Sequence, residues 1–212
     1  MAIYTLEEIA KDVRIALDQN TSSDTLSIIG DVDTLAVNDI IKSKIIEAIK
    51  RVHNDAPPHL LDGGYNFGDS IYWKDLESGW VLLPENFMRF VVFQMSDWDQ
   101  AVFSTISYDD PQYAKQSSRF KGIRGSTQRP VCAITMRPEG RALEFYSCKS
   151  RAAMVSRAIY IPYPEIDEYG AVEICDRCYN AVVYTIAVLV LITFGATDKS
   201  NMLNELAKSS LI

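Results

Sequence analysis

Apolar residues near the start of the chain recur at helical spacing. Leu6, Ile9, Ala10, Val13, Ala16 and Leu17 predict an amphipathic helix. Thr5-Leu6-Glu7-Glu8 fits a capping box in front of it, the hydroxyl and the carboxylate each satisfying an orphan N–H. Residues 20–24 form a polar break. A second helical pattern follows at Val37, Ile40, Ile41, Ile45, Ala48, Ile49 and Val52, and Pro57-Pro58 closes it because proline cannot continue a helix.

The period then changes. Asp62-Gly63-Gly64 and Asn66-Phe67-Gly68 predict turns, and short β-rich runs follow at 80–83, 89–95, 101–106, 131–136, 142–148 and 158–161. Arg137-Pro138-Glu139-Gly140 reads as a hairpin connection. Short strands joined by turns predict an antiparallel sheet.

Helical character returns after Pro164. Glu165, Asp167, Glu168, Glu173 and Asp176 are placed to complement the dipole at the start of a long helix ending near Gly195. Its segment 181–196 carries no charge and is apolar on every face, so it must be buried. A central core helix is expected; the alternative is a membrane anchor, although a span takes about 20 apolar residues. Thr197 or Asp198 can cap a final amphipathic helix carrying Leu203, Leu206 and Ala207.

Helices, then sheet, then helices define an α+β fold, with helices at both ends around a long buried C-terminal helix. A single domain over 1–212 is expected, with helices in 1–58, a β-rich part in 80–162 and helices again in 165–212. The 212 residues, 48% of them hydrophobic, can build a sizeable core, which excludes a disordered or collagen-like chain.

A net charge of −7 would argue against a nucleic-acid binder. Its distribution changes that picture. Between positions 115 and 157 lie ten basic residues and only two acids, Glu139 and Glu144, so this stretch carries +8 and the remainder −15. Such asymmetry signals charged partners.

Candidate chemistry is sparse. The first eight residues lack a basic cluster and an apolar core, so no secretory leader is expected, and the four cysteines read as reduced thiols in a cytosolic setting. Cys175-x-x-Cys178 has no second closely spaced pair to complete a zinc site and no βαβ context for redox work, which leaves buried structural thiols. His53 and His59 lie beside no cysteine or carboxylate cluster at a familiar spacing. Gly63-Gly64 and Gly122-x-x-Gly125 lack the lysine of a phosphate loop, and Asp31-x-Asp33 lacks the other oxygens of a calcium loop. The expectation is a protein that is not an enzyme, with no cofactor and no metal.

The most informative stretch is the extended loop 108–130. Structureless loops beyond about 12–15 residues are uncommon in compact domains unless they bind something or move. This one carries Lys115, Arg119, Lys121, Arg124 and Arg129, with Tyr113 and Phe120 between them. These side chains could contact nucleic-acid phosphates and bases, dock on an acidic protein surface, or be solvated. For the second reading the acidic segment 164–176 of a neighbouring copy, with Glu165, Asp167 and Glu168, is a natural receptor. Head-to-tail contacts of that kind generate a ring when the rotation closes.

Leu83-Pro84-x-x-Phe87-Met88-Arg89 and Trp98, then Lys149-Ser150 and Tyr160-Ile161-Pro162-Tyr163, precede the acidic stretch, the apolar helix and the tail Ala207-Lys208-Ser209-Ser210-Leu211-Ile212. This ordering resembles the head-to-tail connector (adaptor, or ring) proteins of tailed bacteriophages of the crAss-like type, over most of the chain. The resemblance implies a virion structural protein assembled in the host cytoplasm, in a ring of about twelve copies. Its implied partners are copies of itself, the portal and other tail or ring proteins, and DNA passing through the channel, with no membrane. The two alternatives in function are a nucleic-acid-binding module acting through 115–129 and a membrane-associated protein anchored by 181–196.

Overall fold

The computed structural model describes residues 1–20, 37–61, 64–120 and 123–212. The polar break at 21–24, the Asp31-x-Asp33 pair, Asp62-Gly63, Lys121 and Gly122 lie outside the described residues. The class is α+β. In chain order the first elements are β1 (Ala2–Thr5), α1 (Leu6–Asn20) and α2 (Val37–Asp55), then β2 (Tyr65–Asn66), β3 (Ile71–Trp73), β4 (Gly79–Leu82) and β5 (Phe87–Met95). The basic region holds β6 (Ile106–Ser107), α3 (Pro111–Lys115), β7 (Cys132–Arg137) and β8 (Gly140–Phe145). The chain ends with β9 (Val155–Pro162), β10 (Ala171–Ile174), α4 (Tyr179–Thr193) and α5 (Thr197–Ser209).

By packing, these elements fall into two compact units: Met1–Gly63 with Pro164–Ile212, and Gly64–Tyr163. The first is helical. Its capping box forms as the sequence predicts: the Thr5 N–H donates to Glu8 Oε2 at 2.9 Å, and the Thr5 hydroxyl accepts from the Glu8 N–H at 3.2 Å. Ile9, Val13 and Leu17 of α1 and Ile41, Ile45 and Ile49 of α2 supply the apolar stripes, spaced by four residues. Both helices and α5 pack on α4, whose Val182, Ile186 and Val190 are fully buried. The segment Asp176–Thr193 is long and apolar enough to cross a membrane by length and composition. In this fold α1, α2 and α5 pack against it, and half of the segment is buried.

Gly195 ends α4. At φ 73° it takes the left-handed conformation that a side chain disfavours, and the Gly195 and Ala196 N–H groups return to the carbonyls of Ile192 and Leu191. The cap expected at Thr197 or Asp198 does not form: Thr197 is already the first residue of α5, and Ala196 before it supplies no side-chain bond.

The segment 164–176 departs from expectation. Instead of starting the long helix, it forms a turn and then β10, which pairs antiparallel with β1, a strand that the N-terminal pattern did not announce. Asp167 makes the turn: its Oδ1 accepts the N–H groups of Tyr169 and Ala171 at 2.9 and 2.7 Å. An aspartate whose side chain bonds the backbone two to four residues ahead holds a turn against helix formation. Cys175 therefore lies just past β10 and Cys178 in the short 3-10 turn that follows, not on one helix face. Both are buried.

The second unit contains a five-stranded sheet in the order β3-β4-β8-β7-β6 and a three-stranded one in the order β2-β9-β5. Pairing is antiparallel except for β6 against β7. Residues 101–106 contribute less strand than their composition suggests, with a bridge from Val102 to Phe93 and the two residues of β6. The hairpin at 137–140 joins β7 to β8 as read. Side chains from both sheets meet around Phe93, which lies 5.8 Å between centroids from both Phe145 and Trp98 and 5.9 Å from Phe67.

The buried face of α4 sets the stability of the first unit. Ile186→Ala is expected to cost about 3 kcal/mol in urea unfolding, while Ile192→Ala, at an exposed position of the same helix, should cost under about 0.5 kcal/mol. Equal losses at both positions would contradict this packing.

Candidate functional site

The basic loop is built onto the second unit, and its root is a carboxylate. Glu144 projects from β8 and is only 4% exposed. It accepts hydrogen bonds from the hydroxyls of Tyr146 (2.6 Å), Thr135 (3.1 Å) and Tyr113 (3.3 Å), and it pairs with Arg137. The Arg137 guanidinium lies 4.7 Å from the centre of the Trp80 ring, which in turn stacks against Tyr72. Burial works to raise the carboxyl of Glu144, but the Tyr146 hydroxyl, the Arg137 charge and the Thr135 hydroxyl outweigh it and hold it below the usual carboxylate range. The Tyr146 phenol is driven far up, by burial first and then by this neighbour.

Tyr113 belongs to α3, so the network reaches directly into the loop. Asp110 caps α3, its side chain accepting the Gln112 N–H at 2.7 Å, and Pro111 follows at the first helical position. Asp-Pro was therefore the legible sign of order within 108–130. Beyond α3, the buried Gln116 accepts the Gly125 N–H at 3.0 Å through its side-chain oxygen and closes the loop at its base. Ser147 donates to the Gly125 carbonyl, Arg124 pairs with Glu77, and the Asp99 N–H donates to the Thr127 carbonyl at 3.0 Å. Ser126 and Arg129 bond reciprocally across a tight turn.

These contacts sort the residues singled out in the sequence. Tyr113 and Arg124 are turned onto their own unit and fasten the loop. Lys115, Arg119 and Arg129 are exposed, and no ion pair holds them among the described residues. Phe120 is 72% exposed beside Ile123 at 54%. Lys121 lies outside the described residues. In the other unit Glu165 and Glu168 are exposed, whereas Asp167 is committed to its own turn; Tyr169 and Ile166 beside them are 90% and 45% exposed. Glu144, Gln116 and Ser147 were missed. A single acid within the apolar run 142–148 is the signal for Glu144, because a charge inside such a run has to find a partner.

Below the loop lies a cleft of about 300 Å³ between Glu77, residues 124–127 and residues 147–149. Ser147 has φ 73°, rare for a residue with a side chain, and its bond to Gly125 holds it there. The Cys148 thiol is pushed up to about 12, by burial first and then by the charge of Asp97, and so it is no nucleophile at neutral pH. His53 is buried in the first unit, where its Nε2 accepts the Cys175 N–H at 3.2 Å. No three His, Cys, Asp or Glu side chains converge as metal ligands among the described residues.

The charge division follows the fold. The first unit holds nine basic and eighteen acidic residues, −9, and the second holds twelve and ten, +2. A scan of protein-family models and a search of curated proteins both find no match to the chain.

Glu144→Gln keeps the shape but removes the charge that Arg137 pairs with. It is expected to destabilise the second unit by about 3 kcal/mol at neutral pH. Because the carboxyl is held low in the folded state, its contribution is present above the ordinary carboxylate range and is lost as pH falls through the depressed value. Denaturation curves of the wild type and the variant should therefore converge as pH falls through and below the ordinary carboxylate range. A constant gap across that window would contradict the assignment.

Proposed function

We propose that this chain is a structural subunit of a tailed-phage head-to-tail connector, which joins copies of itself head to tail into a ring around the DNA channel. One observation carries the reading: a loop fixed at its root presents unpaired cations and exposed apolar side chains together. Lys115, Arg119 and Arg129 flank Phe120 and Ile123 on the +2 unit. On the −9 unit, Glu165 and Glu168 accompany Tyr169 and Ile166 on a turn that Asp167 holds.

Each surface pairs charge with apolar area, and hydrogen bonds or ion pairs tie described residues of each to their own unit, which lowers the entropy cost of association. Complementary charge selects the partner and the register, and the apolar side chains supply buried area. The remaining cations suit contact with the portal or a neighbouring ring protein. A bore lined by acidic surface would let DNA slide, since basic walls would hold its phosphates.

Native mass spectrometry of the purified chain tests the ring. A closed oligomer of about twelve copies, dissociating as salt rises, is expected. Arg119→Glu should weaken association roughly tenfold, with partial recovery on adding Glu165→Lys. A chain that remains monomeric at low salt and high concentration would refute the proposal.

A further inference from the structure

We propose that Cys175 and Cys178 form a redox-active dithiol, which closes to an intramolecular disulfide by exchange with a low-molecular-weight disulfide. The sequence alone shows no strand ahead of this pair, but the fold supplies one. Cys175 follows β10 directly and Cys178 immediately precedes α4, so the motif spans a strand-to-helix junction. Both residues are in the thiol form.

The junction is a closed turn. The Cys178 N–H donates to the Cys175 carbonyl at 2.8 Å, an i to i+3 bond that holds the two Cα atoms within about 7 Å. Native disulfides join Cα atoms roughly 4.4–6.8 Å apart, so the backbone spacing for closure exists before any oxidation. Both ends of the turn are anchored. The Cys175 N–H donates to His53 Nε2 at 3.2 Å, and the Cys178 thiol donates weakly to the Leu60 carbonyl at 3.9 Å. The two intervening side chains are held on other groups: Asp176 accepts the Tyr4 hydroxyl at 2.6 Å, and Arg177 donates to the His59 carbonyl at 3.3 Å.

Two features set the chemistry. The partial positive charge at the start of α4 favours a thiolate, and the carboxylate of Asp176 opposes it. Both cysteines are 0% exposed, so an exchange partner reaches a sulfur only when the turn opens, and closure is slow. In the first step one cysteine thiolate attacks glutathione disulfide and releases one glutathione. The second cysteine sulfur then displaces the other glutathione. Two electrons and two thiol protons pass from the protein to the disulfide, which leaves as two thiols. A covalent link between the end of β10 and the start of α4 takes the place of the weak Cys178–Leu60 contact. A chain made in a reducing compartment carries the dithiol and closes it on reaching an oxidising one. Cys132 opens β7 and Cys148 lies past the end of β8, so no single turn joins that second pair.

The test equilibrates the folded full chain with mixtures of oxidised and reduced glutathione, then alkylates it in denaturant and digests it with trypsin. Equilibrium is approached from both sides, from the reduced chain and from chain oxidised in urea and refolded, so that burial cannot mask the outcome. Trypsin cleaves after Arg177, between the two cysteines, so a disulfide leaves peptides 158–177 and 178–199 covalently joined. That joined species is expected from both directions, released by dithiothreitol, with Cys132 and Cys148 alkylated. Closure should be favoured at least tenfold more in the folded chain than in urea, because the turn is preformed. Alkylation of all four cysteines at equilibrium would overturn the proposal. A Cys132–Cys148 disulfide in place of this one, or equal closure in urea, would overturn it as well.

Discussion

A carboxylate removed from water must be paired, and in this protein the pairing of Glu144 decides the shape of the surface above it. Its partners come from β7, from Tyr146 just past the end of β8 and from α3, so satisfying one charge fastens the root of the loop to the sheet. From there the constraint propagates. Gln116 closes the base on Gly125, Ser147 adopts a left-handed backbone to hold the Gly125 carbonyl, and Arg124 spends its charge on Glu77. The described residues of this basic stretch on either side of 121–122 are thus tied to their own unit. Its tip side chains, Arg119, Phe120 and Ile123, project without partners of their own, and the cleft below it acquires fixed walls.

The first unit meets a related constraint with apolar matter. An apolar, uncharged helix has to bury much of its surface, and α1, α2 and α5 pack against α4 to bury most of its residues. Acidic residues are left on the outside of that unit and basic ones gather on the other. Charge segregation of this kind does not stabilise a fold, since like charges repel within each part; it steers association and selects among partners.

Much of the architecture was legible in the sequence. The capping box at Thr5, the stripes of α1 and α2, the stop at Pro57-Pro58, the hairpin at 137–140 and the buried helix all follow from local pattern and are found in the fold. What local pattern missed depends on partners distant along the chain. β1 is a strand because β10 lies beside it, and residues 171–174 are extended for the same reason, although their acidic setting suggested a helix start. The candidate site divides the same way. Its charge and its aromatic residues were evident, but the stretch read as an extended loop, and the short helix α3 capped by Asp110 within it was not anticipated. That Tyr113 and Arg124 turn inward could not be read, because Glu144 and Glu77 lie 31 and 47 positions away.

The central claim is that the loop is a preformed surface and not a solvated excursion. Native-state amide hydrogen exchange at Gly125 addresses this most directly, since its N–H is bonded to a buried glutamine side chain in the middle of the basic stretch. Protection comparable to that of the β7–β8 ladder is the expected result. Exchange at the rate of a freely exposed amide would mean that the loop is not held, and the surface described here would not exist in solution.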